Sequence, residues 1–179
     1  MTIEAFTGLP GAGKTYHMTK LAYYQACRGK TIYSNYNLDF GSDKLKTHKF
    51  KELNELQGVK NALILIDEAG IYLPSQAWRN IPFEFIRQIR QHRHDGLNLW
   101  YTAQDMQDVA TYLRRITQFQ HDYNKLWKIV SSRTINPRTK ARYGFDFSIL
   151  RKKYFKLYDT TENIDFGDYL KGALKNSII

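Results

Sequence analysis

The sequence predicts an α/β fold with a mostly parallel central sheet flanked by helices, and three observations carry that prediction. Strand-like apolar runs alternate with helix-length segments across the first two thirds of the chain, the pattern of parallel strands joined by crossover helices. One run, Ala62-Leu63-Ile64-Leu65-Ile66, is apolar without interruption, as in a strand covered on both faces. The glycine-rich stretch Gly8 to Gly13 stands between a strand-like and a helix-like segment, which marks a sharp turn from one into the other.

Each element has its own signal. Ile3-Glu4-Ala5-Phe6-Thr7 reads as a short strand. Lys14 to Arg28 reads as a helix with Met18, Leu21, Ala22 and Ala26 on one side, and Gly29 stands where a helix stop is expected. Thr31 to Asn35 is a second strand, and Lys49 to Leu56 a short helix. Pro82 to His94 reads as a helix, since proline suits the first turn. Leu97 to Thr102 is a buried strand ending in polar residues, and Asp105 to Arg115 a helix with Asp105 at its amino end.

Beyond about residue 118 the character changes. Strand-like runs occur near Gln118–Tyr123, Leu126–Ser132, Arg142–Ser148 and Lys153–Tyr158, with Asn136-Pro137 marking a turn. A short helix near Asp165–Lys175 is expected to finish the chain. The organisation expected is a core domain over residues 1–125 and a small β-rich C-terminal part, residues 126–179, packed on it.

At 179 residues the chain fits one such domain with a small appendage. An apolar fraction of 42 % excludes wholesale disorder. The single Cys27 cannot form an internal disulfide, so nothing points to an oxidising compartment. No apolar run approaches the roughly 18 residues that span a bilayer, and Met1-Thr2-Ile3-Glu4 lacks the features of a signal peptide. The expectation is a soluble chain in the cytoplasm. Net charge is +10, with 27 Lys and Arg against 17 Asp and Glu, and this excess favours a polyanionic partner. DNA is the first candidate, an anionic membrane surface the second, and a merely solvated basic surface the third.

The chemistry begins in the glycine-rich stretch. Gly8-Leu9-Pro10-Gly11-Ala12-Gly13-Lys14-Thr15 fits G-x-x-x-x-G-K-[ST] in full, between a strand and a helix. Glycines let the backbone curl so that successive N–H groups point at phosphate oxygens, and the helix start adds partial positive charge. Gly8, Pro10, Gly11, Ala12, Gly13, Lys14, Thr15 and the following Tyr16 are therefore the candidate nucleotide contacts. Lys14 reaches the β- and γ-phosphates of ATP, and Thr15 offers its hydroxyl to Mg²⁺.

The apolar strand Leu63 to Ile66 ends in Asp67-Glu68. Asp67 is placed to hold the magnesium, and Glu68 to polarise an attacking water as general base. Gln104 follows the next strand, where a polar residue senses the γ-phosphate or positions water, and Thr102 is an alternative. Arg87, Arg90 and Arg93 recur on one side of a helix, with Ile86 and Ile89 turned to the core. That face suits a subunit interface lending an arginine to a neighbour's nucleotide, or a DNA-facing surface, or solvent. Arg114 and Arg115 are further finger candidates. His92 and His94 have no second pair at metal-ligand spacing, so no zinc site is expected. A nucleotide kinase would share the glycine loop, but no arginine-rich lid follows. A GTPase would need an Asp that Asn124-Lys125 lacks. A nucleotide-gated scaffold that changes shape on ATP binding remains an alternative to a motor.

Taken together, these segments resemble the Zot (zonular occludens toxin) family, which includes the assembly ATPase of filamentous phages and lies in the larger HerA–FtsK group of DNA-pumping motors. The resemblance rests on the phosphate loop; Tyr33-Ser34-Asn35; Leu65-Ile66-Asp67-Glu68-Ala69-Gly70 with Ser75-Gln76-Ala77-Trp78; His92-Arg93-His94-Asp95-Gly96-Leu97; Thr102-Ala103-Gln104-Asp105; and Tyr158-Asp159-Thr160. Order and spacing match over about residues 1–125, and residues 126–157 match loosely. The resemblance implies a homo-oligomer, a hexameric ring, at the inner face of a membrane in the host cytoplasm. Such a ring uses ATP to drive single-stranded phage DNA outward while coat protein assembles on it. By the same resemblance Lys14, Thr15, Asp67, Glu68 and Gln104 take the roles given above, and Arg93 becomes the preferred finger. Zot-type proteins continue into a membrane helix and an outer domain, whereas this sequence stops at Ser177-Ile178-Ile179. It is expected to be either the cytoplasmic part of a longer protein or a soluble relative that packages double-stranded DNA into a capsid.

Overall fold

The uninterrupted apolar run lies at the centre of the sheet. In a computed structural model, which describes residues 1–159, it forms β4 (Ala62–Ile66), buried along its whole length. Beside it lie β2 (Thr31–Ser34) and β5 (Asn98–Ala103), and β5 pairs in turn with β1 (Ile3–Thr7). Side chains alternate between the faces of a strand. Ile64 and Ile66 therefore join Ile3, Ala5, Leu99 and Tyr101 on one face, while Leu63 and Leu65 join Phe6, Ile32 and Trp100 on the other. A strand packed on both sides has no position for a polar residue, which is why its sequence shows no alternation.

The first face is covered by α2 (Ala69–Tyr72), α3 (Phe83–Arg90) and α4 (Thr111–Ile116), which bury Tyr72, Phe85, Ile89 and Leu113. The second is covered by α1 (Lys14–Cys27), which buries Met18, Ala22 and Ala26, and by the short α5 (Lys152–Phe155). Leu21, expected on the buried side of α1, is exposed, because the buried arc is centred on Met18 and Ala22 and turns away from it. Cys27 is free and exposed. Gly29 ends the helix with a positive φ, as its position predicts.

The sheet has eight strands in the order β3-β2-β4-β5-β1-β6-β7-β8. The strands from β3 (Thr47–Lys49) to β6 (Phe119–Leu126) are parallel, and β7 (Ile129–Ile135) and β8 (Arg142–Ile149) add an antiparallel hairpin at the β6 edge. The β-rich C-terminal part thus continues the main sheet, and β6 itself crosses residue 125.

Four expectations for local structure change. The helix read over Lys49–Leu56 is the edge strand β3 followed by a 3-10 turn, Leu53–Leu56. The helix from Pro82 stops at Arg90, because residues 91–96 form a tight turn closed at Gly96, which has a positive φ. The helix from Asp105 is broken. Asp105 caps a 3-10 turn, Met106–Asp108, by accepting from the Gln107 N–H, and Val109 is extended and bridges to Pro74. The strand read over Lys153–Tyr158 is α5 plus an isolated bridge from Tyr158 to Leu38, since Tyr154 packs edge-on against Tyr16 of α1. The helix expected near Asp165–Lys175 lies outside the described residues. Among the described residues no helix is long and apolar enough to cross a membrane.

Candidate active site

Loops at the carboxyl ends of parallel strands converge, and here the loops after β1, β4 and β5 do so. The loop after β1 turns sharply into α1. Gly8 has φ +140°, and a side chain there would run into the backbone carbonyl of Tyr123 on β6. Gly13 caps α1 in the left-handed region with φ +89°. Only glycine takes both positions without strain. Lys14 is buried, and its Nζ donates to the carbonyls of Gly8 at 2.8 Å and Leu9 at 3.2 Å. Burial holds this ammonium below the usual lysine range, against the opposing pull of Glu68 and Asp67.

Asp67 is the hub. Thr15 Oγ1 donates to its Oδ1 at 2.8 Å, and Thr102 Oγ1 donates to the same oxygen at 2.6 Å. Asn35, at the end of β2, fixes its backbone reciprocally: the amide donates to the Asp67 carbonyl at 2.9 Å and accepts from the Asp67 N–H at 2.8 Å. Burial pushes the Asp67 carboxyl up, and the hydrogen bonds from Thr102 and Thr15 resist. Thr15 and Asp67 are hard oxygen donors brought together, the type of ligand Mg²⁺ takes alongside phosphate oxygens.

Glu68 follows in the left-handed region, φ 54° and ψ 55°, at the start of α2. A non-glycine residue held there costs about 1–3 kcal/mol, a strain found where surrounding contacts over-determine a functional position. The Glu68 N–H donates to Thr102 Oγ1 at 2.9 Å, so one threonine clamps both acidic residues. Thr102 is wholly buried and engaged in this way, which removes it as the γ-phosphate sensor. Burial raises the Glu68 carboxyl above the usual range, and the Asp67 charge adds to the rise. Gln104 is exposed at the end of β5, and its side chain opposes the rise in the Glu68 pKa.

A cavity of about 650 Å³ opens beside Gly8 and Leu9 and runs past Gln104 and Arg114 to Arg133 on β7. Arg114 Nη2 donates to Thr111 Oγ1 at 2.8 Å, while its buried Nε has no hydrogen-bond partner. Arg114 therefore faces a cavity at its own chain's phosphate loop.

Two expected site residues lie elsewhere. Tyr16 is buried; its hydroxyl accepts from the Arg151 N–H at 2.9 Å and its ring packs against Phe155. Its side chain anchors α1 to the later chain and does not face the phosphate loop. Arg93 is not on α3 but in the turn before β5, at the amino ends of the parallel strands. Six residues of strand, about 20 Å, separate that end from Gln104. Arg87 is taken up by Glu84 at 2.8 Å. Arg93 can serve a nucleotide only on a neighbouring chain.

Sequence reading gave Asn35 no role. Its signal was present in Tyr33-Ser34-Asn35, a polar end on a buried strand. Tyr158 likewise packs edge-on against Tyr36, whose hydroxyl meets Thr19 at 2.8 Å behind the site.

Comparison with known proteins places the family and the fold. The family model described as zonular occludens toxin (Zot) matches residues 35–163, including the stretch where the sequence motifs match only loosely. No curated protein matches the chain significantly. Among solved structures, the N-terminal domain of zonular occludens toxin from Neisseria meningitidis superposes with a TM-score of 0.63 at 15 % identity, covering 88 % of this chain and 98 % of that one. The genome packaging NTPase B204 from Sulfolobus turreted icosahedral virus 2, in complex with AMPPCP, gives 0.64 at 12 % identity, covering 84 % and 98 %. A DnaB-like replicative helicase gives 0.57 at 13 % identity, covering 86 % of this chain and 57 % of that one. At such identities these likenesses speak for the fold, that of a P-loop NTPase.

Proposed function

This chain belongs to the zonular occludens toxin (Zot) family, and we propose that it is a magnesium-dependent ATPase that drives viral DNA during phage assembly and extrusion, working as a ring of its own copies. The observation that carries the reading is the convergence of Thr15, Thr102 and Asn35 on Asp67, with Glu68 held beside it in a strained backbone conformation. The packaging NTPase of similar fold was crystallised with AMPPCP, ATP-gammaS and AMP, which supports an adenine nucleotide here.

The chemistry follows from the geometry. Lys14 exchanges two neutral carbonyls for the anionic β- and γ-phosphate oxygens, a stronger class of acceptor. Thr15 and Asp67 hold Mg²⁺, which, when bound, neutralises charge developing on the phosphates. Glu68 takes a proton from water as the water oxygen bonds to the γ-phosphorus and the bond to the β–γ bridging oxygen breaks, releasing ADP and phosphate. Its raised pKa makes it a better base than an ordinary carboxylate. Gln104, which acts on the Glu68 carboxyl, registers the departure of the γ-phosphate. Arg93 reaches across to a neighbour's nucleotide, which ties hydrolysis to ring assembly.

Steady-state ATP hydrolysis, with and without single- and double-stranded DNA, tests this beside Glu68→Gln. The variant is expected to bind ATP and turn it over on the order of 100-fold slower, as for the loss of a general base. Near-normal turnover would remove Glu68 from the mechanism. Turnover indifferent to both forms of DNA would overturn the motor. Stimulation by single strands assigns extrusion. Stimulation by duplex assigns packaging, the second reading, which the fold shared with a packaging NTPase keeps in view.

A further inference from the structure

At the amino ends of the parallel strands, away from the phosphate loop, lies a second cavity of about 490 Å³. Three separate stretches of chain wall it with guanidinium groups: Arg90 and Arg93 around the end of α3, Arg115 near the end of α4, and Arg138 in the β7–β8 turn. No Asp or Glu lines it, and none of these arginines has an ion pair among the described residues. Gathering like charges without a counter-charge works against folding, so the fold gains nothing from this arrangement on its own account.

The wall also contains His92, which is 6 % exposed. Its Nδ1 donates to the Ile89 carbonyl at 2.9 Å, and its buried Nε2 has no hydrogen-bond partner. Buried polar atoms are nearly always satisfied. With Nδ1–H committed, that nitrogen carries a lone pair, and it meets an anion only once it is protonated. The amide oxygens of Gln118 and Asn136 in the wall are taken up by backbone N–H groups, which leaves their NH2 groups to donate to sugar or base edges.

We propose that this cavity binds the phosphodiester backbone of single-stranded DNA, with Arg90, Arg115 and Arg138 on phosphate oxygens and protonated His92 Nε2 donating from within. The proposal rests on the DNA-motor reading and locates the strand at the end of the sheet opposite the nucleotide. A recess suits a flexible strand, which can lay a phosphate into it. Headgroups held in a bilayer plane would meet only the rim.

The donor role of His92 has a consequence in pH. With Nδ1–H committed to Ile89, the neutral ring presents a lone pair at Nε2, and phosphodiester oxygens only accept. Burial, then the Arg93 charge, hold the ring below the usual histidine range. The other groups facing it are Arg90 and His94 from its own segment, Arg115, Arg138 and the Met1 amino group, all basic. An incoming phosphate is thus the only anion at the site. Its binding takes up a proton, and by linkage affinity rises as pH falls.

The test is fluorescence anisotropy of a labelled oligothymidylate with the full chain across salt and pH. For single strands the slope of log affinity against log salt is about −0.7 per phosphate engaged. Arg115→Ala/Arg138→Ala is expected to bind at least roughly tenfold more weakly and to flatten the slope by about 1, with ATP affinity unchanged as the check on folding. Arg138→Glu, on an exposed turn, is a second variant that leaves the fold intact and is expected to weaken binding similarly. His92→Gln should bind without the tightening between pH 8 and pH 6. Unchanged affinity and slope in both arginine variants would overturn the cavity as the site while leaving the motor reading in place. Failure of the wild type to bind any oligonucleotide would overturn both. Binding to equimolar phosphatidylserine and phosphatidylcholine vesicles that is lost in Arg138→Glu, with DNA binding retained, would assign the cavity to a membrane surface instead.

Discussion

β4 and β8 are strands of one sheet and stand in opposite surroundings. Every residue of β4 is buried, whereas on β8 Tyr143, Phe145, Phe147 and Ile149 are 59–66 % exposed. The difference is legible in the pattern. β4 is apolar at every position because helices cover both its faces. β8 alternates, Tyr-Gly-Phe-Asp-Phe-Ser-Ile, so it presents one apolar face. Register aligns Ile149 with Ile129 but Phe147 with Ser131 and Phe145 with Arg133, so the apolar face is largely confined to β8. Composition alone locates a strand; the period says how many of its faces are meant to be covered.

The contrast breaks or holds on a pair of truncations. Ile64→Ala removes a wholly buried side chain and is expected to lower stability by about 2–5 kcal/mol. Phe147→Ala, at 66 % exposure, is expected to change it by no more than about 0.5 kcal/mol. Urea unfolding of both variants reads the difference. Equal losses would mean that Phe147 is buried in solution and that the two strands share one kind of environment.

The joint between the regions is His17. It lies on α1, stacks on Tyr123 of β6 and meets Ser148 of β8 through Nε2 at 3.1 Å. Burial, with Lys20 adding and Asp146 opposing, lowers its pKa to about 4. The folded state therefore favours the neutral ring, and the unfolded chain binds the proton first. The stability this contributes is complete above about pH 6.5 and is lost as pH falls toward 4, amounting to about 3 kcal/mol at 1.36 kcal/mol per unit. His17→Gln should flatten the stability profile between pH 6.5 and 4 in thermal melts. An unchanged profile would place the acid-sensitive step elsewhere.

Thr102→Val acts on the other end, where β5 meets the acidic pair. It strips a hydrogen bond from Asp67 and one from the Glu68 N–H, so a loss of about 1–3 kcal/mol is expected. Turnover should fall with it, because nothing then holds Glu68 against Asp67. Full activity at reduced stability would make Thr102 a structural residue alone.

What the sequence made legible divides along the same line. The phosphate loop and the Asp67-Glu68 strand end are local patterns, complete within a few consecutive residues, and the parallel fold follows from β4 and its neighbours. Asn35 and Thr102 act on Asp67 from 32 and 35 residues away, and no local period encodes that meeting. β3 is a short polar edge strand, Thr-His-Lys, whose pairing comes from the neighbouring β2 backbone. The stretch from Lys153 to Tyr158 carries strand-like aromatics, yet Tyr154 is drawn onto α1 and the chain coils there. Arg114 looked interchangeable with Arg115 in sequence. One residue's rotation along α4, about 100°, directs the first to the phosphate-loop cavity and the second to the basic one.

The smallest effect expected is at the pair that crosses the hairpin beside β6. Arg133 Nη2 lies 3.4 Å from Asp122 Oδ2, with side chains 49 % and 23 % exposed. A pair so open to water gains little, and Arg133→Ala should change stability by less than about 1 kcal/mol, shrinking further in high salt. Its position opposite Phe145 in the β7–β8 register makes it a measure of the whole extension. If the hairpin is held by backbone pairing and by Val130 and Tyr123 packed on the α1 side, removing a charge from the open face leaves it in place. A loss above about 2 kcal/mol would mean that this face is as tightly packed as β4, and the contrast between the two strands would fail at its weakest point first.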